Sequence, residues 1–242
     1  MNVAASLNNI GEIYRGKKEF TTALNYYFKS LVICQAIDES TGGKVPNENT
    51  PLVYNNIGRI YKEQSEFDLS LEYHFKALKM KQDMFGEAAV TTGSSFHNIG
   101  EVYRAKKDFD AAAEYYLKAL NCKILALGDQ HVSVATTYNG LAGVYKNKCD
   151  SSLALEFYYK ALVIYESDLG EGTSLTAMVY SNIGEIYSEQ GNYDSALKYH
   201  LLALKGRIIA FGDGHVSTKK SRRNVCDAYK QLGFHDKSLE YA

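Results

Sequence analysis

The chain has 242 residues, 45% hydrophobic and 23% charged, with a formal net charge of -1. That composition excludes a disordered chain and lacks the basic excess of a nucleic-acid binder. No apolar run reaches the length of a membrane span, and MNVAASLNNIG has neither a basic nor an apolar leader segment. Cys34, Cys122, Cys149 and Cys226 form no C-x-x-C pair, which predicts reduced thiols and a cytoplasmic protein.

The first predicted helix carries NIGEIY (Asn9 to Tyr14), and the same six letters return at Asn182 to Tyr187. The closing tyrosine has equivalents at Tyr61, Tyr103, Tyr145, Tyr187 and Tyr229, separated from Tyr14 onward by 47 and then four times by 42 residues. Gly86, Gly128, Gly170 and Gly212 keep the same step. The five extra residues fall in STGGKVPNENTP, a loop insertion holding Pro46 and Pro51, after which Thr50 and Pro51 are expected as N-cap and first residue of a helix.

Each unit reads as two amphipathic helices, called A and B here. In the third unit, helix A is expected from about Ser94 to Ala105, with Phe96, Ile99, Val102 and Tyr103 on one face. After the turn KKD, helix B follows from about Phe109 to Ala126, and Gly128 stops it. Asp108, Asp150 and Asn192 are candidate N-caps of the B helices. The repeats are expected to fill one domain, 1–242, as 1–47, 48–89, 90–131, 132–173, 174–215 and a partial 216–242.

The pattern Phe96, Ile99, Gly100, Tyr103, Ala112, Tyr116, Ala119 resembles the tetratricopeptide repeat, and Tyr180, Ile183, Gly184, Tyr187, Ala196, His200, Ala203 repeats it. The usual tryptophan is replaced by Leu7, Tyr54, Phe96, Tyr138 and Tyr180. The usual proline after helix B is replaced by Gln82, Ile124, Glu166 and Ile208, so helix B can continue. The 42-residue period and GDQHVSVATTYN (Gly128 to Asn139) are similar to the kinesin light chain type, although Val132 and Val216 stand where that type has proline. The resemblance implies an all-α, right-handed superhelix of antiparallel helix pairs. It also implies a non-catalytic adaptor that holds an extended peptide on its concave side, with kinesin heavy chain or cargo among the partners. Related arrays occur in ciliary proteins and in signalling ATPases with repeat sensors, so a sensor or scaffold array is the alternative, and self-association a further one.

Gly11, Gly58, Gly100 and Gly184 lie inside helices, with Ala142 and Cys226 in the same slot. Glycine there costs ~1 kcal/mol against alanine. The expected return is close packing of helix B on helix A, not a phosphate cradle. Ile10, Gly11, Ile13 and Tyr14 are therefore expected to pack, with Glu12 facing outward. His74, His97, His131, His200, His215 and His235 do not gather at metal-ligand spacing, and no nucleophile and base recur together, so no metal, cofactor or enzyme activity is expected. The pairs Tyr26-Tyr27 and Tyr115-Tyr116 read as packing, and Lys29, Lys76, Lys118 and Lys160 as the solvated edge of helix B.

Candidate binding residues lie on the polar face of helix A, at positions four and then three apart. They are Asn8, Glu12 and Arg15; Asn55, Arg59 and Lys62; His97, Glu101 and Arg104; Asn139 and Lys146, with Gly143 between them; and Ser181 and Glu185, followed by Ser188. Arg223, Asp227 and Lys230 continue the series. Asparagine can grip a peptide backbone, and the recurring bases favour acidic ligands, as in the family's kinesin light chain branch. The groove is expected to centre on units two to four. Glu12–Arg15, Glu101–Arg104 and Asp227–Lys230 can neutralise each other, whereas Arg59 and Lys62 are both basic. Glu12 and Glu101 would repel a C-terminal carboxylate, which disfavours a heat-shock cochaperone. The chain starts at a helix A and stops at Leu239-Glu240-Tyr241-Ala242 within a helix B. That predicts a segment of a longer array with an apolar, self-associating C-terminal end.

Overall fold

The computed structural model describes residues 3–40 and 47–241. Residues 41–46 of the predicted insertion, with Pro46, lie outside the described residues, as does Ala242. Among the described residues every regular element is a helix. The chain divides into two compact units, Met1–Gly128 and Asp129–Ala242.

The first unit holds α1 (Val3–Gly16), α2 (Phe20–Ser40), α3 (Asn49–Glu63), α4 (Phe67–Phe85), α5 (Val90–Ala105) and α6 (Phe109–Leu127). Each helix packs on its chain neighbours, and the A helices α1, α3 and α5 also touch one another in series. Among the described residues the B helices make no comparable contact with one another, so the A helices form the closer-packed, inner side of this unit. The second unit repeats the pairing with α7 (Val132–Asn147), α8 (Ser151–Leu169), α9 (Ser174–Glu189), α10 (Tyr193–Phe211), α11 (Val216–Gln231) and α12 (His235–Leu239).

The core follows the repeat. Tyr27, Leu31 and Ala23 of α2 pack with Val53, Ile57 and Ile60 of α3, and Leu71 and Leu78 of α4 with Ile99 and Val102 of α5. Burying each such aliphatic side chain is worth about 1.5–3 kcal/mol, which is how stacking stabilises helices that could not stand alone. Ile13 departs from its expected packing role: it is 58% exposed, whereas the equivalent Ile60 and Val102 are fully buried. The latter two lie beneath α2 and α4, and no described helix covers α1 in that way.

The internal glycines are packing notches. A Cβ on Gly11 would come within 2.5 Å of the Tyr27 ring, on Gly58 within 2.9 Å of His74, and on Gly184 within 2.6 Å of His200. The B helices run unbroken through the sites of the missing prolines, and Gly86, Gly128, Gly170 and Gly212 close them at positive φ. Asp108, Asp150 and Asn192 cap the backbones of Ala111, Leu153 and Ser195 at 3.0–3.1 Å, as expected.

Thr50 does not serve as the cap of α3. That helix begins at Asn49 after Glu48, and the Thr50 hydroxyl contacts Asp38 Oδ2 at 3.2 Å, which leaves Pro51 in the first turn where its missing N–H costs nothing. Helix A of the third repeat also starts earlier than the apolar pattern suggested, at Val90, with Thr92 Oγ1 donating to Gly86 O at 2.8 Å. His131 and His215 cap α7 and α11, their Nδ1 accepting from Ser133 and Ser217 at 3.0 and 3.1 Å.

The A-to-B turns carry a demand that the sequence pattern hides. Glu19 N bonds Tyr14 O and Lys18 N bonds Arg15 O, both at 2.9 Å, and the later repeats copy this double closure. It requires positive φ at Lys18, Ser65, Lys107 and Cys149, four positions where the favoured glycine is absent. Only Gly191 and Gly233 supply it.

Candidate functional site

On the inner face of the first unit, the predicted residues and Glu63 form an ion-pair ladder in two separate sets, one between α1 and α3 and one between α3 and α5. Arg15 lies 3.1 Å from Glu12 on its own helix and 2.9 Å from Glu63 on α3. Arg59 approaches Glu12 at 3.6 Å, Lys62 reaches Glu101 at 3.5 Å, and Arg104 holds Glu101 at 3.2 Å. Arg59 and Lys62 therefore do not stand apart as an unneutralised pair: each is shared with a neighbouring repeat. Only across repeats do four bases meet three carboxylates, because the rungs join helices that sequence spacing cannot relate.

The carboxylates have a second duty. Glu12 accepts a short hydrogen bond from the Tyr27 hydroxyl, and Glu101 one from Tyr116. Burial works to raise the Glu101 carboxyl, but the charge of Arg104, the Tyr116 hydrogen bond and Lys62 outweigh it and hold the group down at about 2. At Glu12 burial is likewise outweighed, by hydrogen bonds from Arg15 and Tyr27 and the charge of Arg59, and its pKa falls. Both groups are thus anchored rather than freely outward-facing.

The polar positions one turn earlier differ among themselves. Asn55 is buried, with Oδ1 2.9 Å from His74 Nδ1, and Asn8 accepts from Asn56 at 2.8 Å. His97 sits edge-on to Tyr116 at 5.2 Å between ring centroids. Burial and the cations around them, Lys62, Lys81 and Arg59 at His74 and chiefly Lys123 at His97, lower these imidazoles to about 3 and about 4. Neither ring carries charge at neutral pH.

In the second unit, Asn139 is half-buried and its Oδ1 has no hydrogen-bond partner among the described residues, while Ser181 is buried. Lys146 lies 2.7 Å from Glu185 and 3.6 Å from Glu189, the same next-helix bridge that Arg15 makes. Burial would raise the Glu185 carboxyl; Lys146 and Lys220 more than offset it and lower it.

Sequence reasoning missed a basic position in the last turns of helix B, occupied by the buried Lys81 and Lys123 and, further on, by the half-buried Arg207. Lys81 Nζ donates to Thr91 O at 3.3 Å and has no carboxylate within ion-pair distance among the described residues. Burial lowers the amines of Lys81 and Lys123 to about 8. The 42-residue step places these cations in register, but Cys34 and Tyr165 interrupt the series and conceal it. The helix-B edge behaves as read: Lys76, Lys118 and Lys160 pair with the glutamate four residues earlier at 2.5–2.6 Å and lie over Tyr73, Tyr115 and Phe157. Among the described residues no group of His, Cys, Asp or Glu is placed to hold a metal, and no helix is long and apolar enough to cross a membrane.

Models of the tetratricopeptide repeat match residues 3–37, 49–124, 91–167 and 175–242. The chain belongs to the tetratricopeptide repeat family. A search of curated proteins finds no match. Among solved structures, BtubC (BKLC) from P. vanneervenii is similar with a TM-score of 0.79 at 20% identity, over 90% of this chain and 86% of that one. A putative kinesin light chain from Podosopora anserina with nearly identical TPR-like repeats gives 0.68 at 15% identity, over 81% and 93%. PilF of Pseudomonas aeruginosa gives 0.68 at 15%, over 99% and 88%. At these identities the likeness speaks for the fold.

Proposed function

We propose that this tetratricopeptide-repeat interaction scaffold binds an extended acidic peptide of a partner protein on its A-helix face, in the manner of a kinesin light chain holding cargo in the cytoplasm. The observation that carries this reading is the positive balance of the first unit's inner face. Among the described residues Arg15, Arg59, Lys62 and Arg104 meet only Glu12, Glu63 and Glu101 there, and Lys81, buried on α4, has no carboxylate within ion-pair distance. Arg59, Lys62 and Arg104 keep 39%, 28% and 37% of their side chains exposed, so an incoming carboxylate can join their half-satisfied pairs. The similarity to the Podosopora anserina kinesin light chain repeats supports the kinesin light chain-like part of this reading through the shared fold.

The test is binding of a fluorescent peptide rich in Asp and Glu by the Arg59→Gln, Lys62→Gln, Arg104→Gln triple variant. Asn55 is left intact because it holds the buried His74. Affinity is expected to fall roughly tenfold or more, with weaker salt dependence. Unchanged affinity in the folded variant refutes an acidic ligand on this face.

A further inference from the structure

The second unit lacks two cations that the first repeat pair possesses. Between α1 and α3, Arg15 sits between Glu12 and Glu63, and Arg59 approaches Glu12 from the other side. Counted repeat by repeat, Glu12 corresponds to Glu185, Arg15 to Ser188, Arg59 to Asp227 and Glu63 to Gln231. One base has become a short hydroxyl and the other a carboxylate.

A cavity of about 440 Å³ lies at that place, lined by Glu185, Ser188, Glu189, Asn224, Asp227 and Gln231 among others. His200, 4% exposed, borders it as well. Its Nε2 stands 3.4 Å from Ser188 Oγ, and its Nδ1 has no hydrogen-bond partner among the described residues. Burial lowers the pKa of this imidazole, so the ring brings no positive charge that would compete with a guest. Three lysines touch the carboxylates without lining the cavity. Lys146 holds Glu185 and Glu189, Lys220 is 3.6 Å from Glu185, and Lys230 is 3.8 Å from Asp227. The last two are more than half exposed, and such pairs contribute little.

We propose that this cavity takes the guanidinium of an arginine side chain from a partner's peptide, in the place that Arg15 fills within the first repeat pair. The proposal rests on the reading that the A-helix face binds peptide. A planar fork of five N–H donors suits a site with carboxylates at Glu185 and Asp227 and carboxamide oxygens at Asn224 and Gln231. The protein already shows this chemistry: Arg15 donates through Nε and Nη2 to Glu12 and through Nη1 to Glu63.

The test titrates the full chain with N-acetyl-arginine methylamide while NMR follows the side-chain amides of Asn224 and Gln231. Saturating shifts are expected with arginine, and binding roughly tenfold or more weaker with the uncharged isostere N-acetyl-citrulline methylamide. Ser188→Arg, which restores the internal cation, is expected to abolish the arginine shifts, and Asp227→Asn to weaken them roughly tenfold. Equal binding of the two probes, or arginine shifts unchanged in a folded Ser188→Arg or Asp227→Asn protein, overturns the proposal. Should Ser188→Arg fail to fold, Asp227→Asn decides. Acidic-peptide binding is read separately through Arg59, Lys62 and Arg104, so either reading can fail while the other stands.

Discussion

The second and third repeats solve one packing problem with different polar chemistry. Both lay a large polar ring from helix B over a glycine of helix A: His74 over Gly58, and Tyr116 over Gly100. The tyrosine needs an acceptor for its hydroxyl and finds Glu101; the histidine needs a partner for Nδ1 and finds Asn55. Where the ring is Tyr116, the next residue along helix A is Glu101, the carboxylate that accepts its hydroxyl. Where it is His74, that position is released and becomes Arg59. In the first unit the charge pattern of the inner face thus follows the ring beneath it, whereas in the second unit Tyr158 goes with Gly143 and His200 with Glu185. The first repeat supports this, since Tyr27 again meets Glu12.

The sharpest way to break this comparison is Glu101→Ala. It strips a buried hydroxyl and Arg104 of their partner at once and should cost about 2–3 kcal/mol in urea unfolding, whereas Arg59→Ala at the matching position should cost under about 1 kcal/mol. Equal losses would mean that Glu101 is only a surface charge.

Acid should separate the repeats by pH window. His74 is lowered to about 3 from an ordinary value of 6.5, so the unfolded chain takes up the proton first. Its stabilisation is complete above pH 6.5 and is lost as pH falls toward 3, about 2 kcal/mol of it by pH 5. Glu101, lowered from 4.5 to about 2, keeps its contribution until pH drops below 4.5 and loses it on the way to 2. Melting temperatures of His74→Tyr and Glu101→Gln across pH 7 to 2 should each flatten one window and leave the other.

A smaller effect is expected at the notches. A methyl on Gly58 meets the His74 ring at 2.9 Å, and on Gly100 the Tyr116 ring at 3.2 Å. Gly58→Ala should cost about 1–2 kcal/mol, and Gly100→Ala less, because better helix propensity returns ~1 kcal/mol. The reverse order in thermal melts would contradict the packing account. The smallest effect should be the same in both repeats: Ser65→Gly and Lys107→Gly each relieve a positive-φ residue and should raise stability by about 0.5–1 kcal/mol.

Much of the fold was legible because it is periodic. One tyrosine every 42 residues after the first, a small residue three positions before each of them, and a cap before helix B in the third, fourth and fifth repeats are local signals, and the helices follow them closely. Boundaries that depended on a distant partner were less legible. Thr50 turned toward Asp38 rather than capping its helix, and Ile13 kept its packing letter without a helix to cover it. At the candidate site, residue types and faces were readable, but their partners were not. Glu63, Tyr27 and Tyr116 were not seen as members of the ladder, because spacing along one helix carries no information about the next.

The sequence by itself determined the all-α repeat, the glycine notches and the polar face of helix A, since all three are set by periodicity within a helix pair. Only the tertiary structure decided which charges remain available on that face. Glu12 and Glu101 are committed to buried tyrosines, Asn55 to a buried histidine, and Arg59 and Lys62 to carboxylates one repeat away. Ser188 acquires its meaning in the same way. A serine on a polar helix face is unremarkable alone, and becomes a vacancy only where stacking sets Glu185 and Asp227 around a cavity that an arginine fills elsewhere in the same chain.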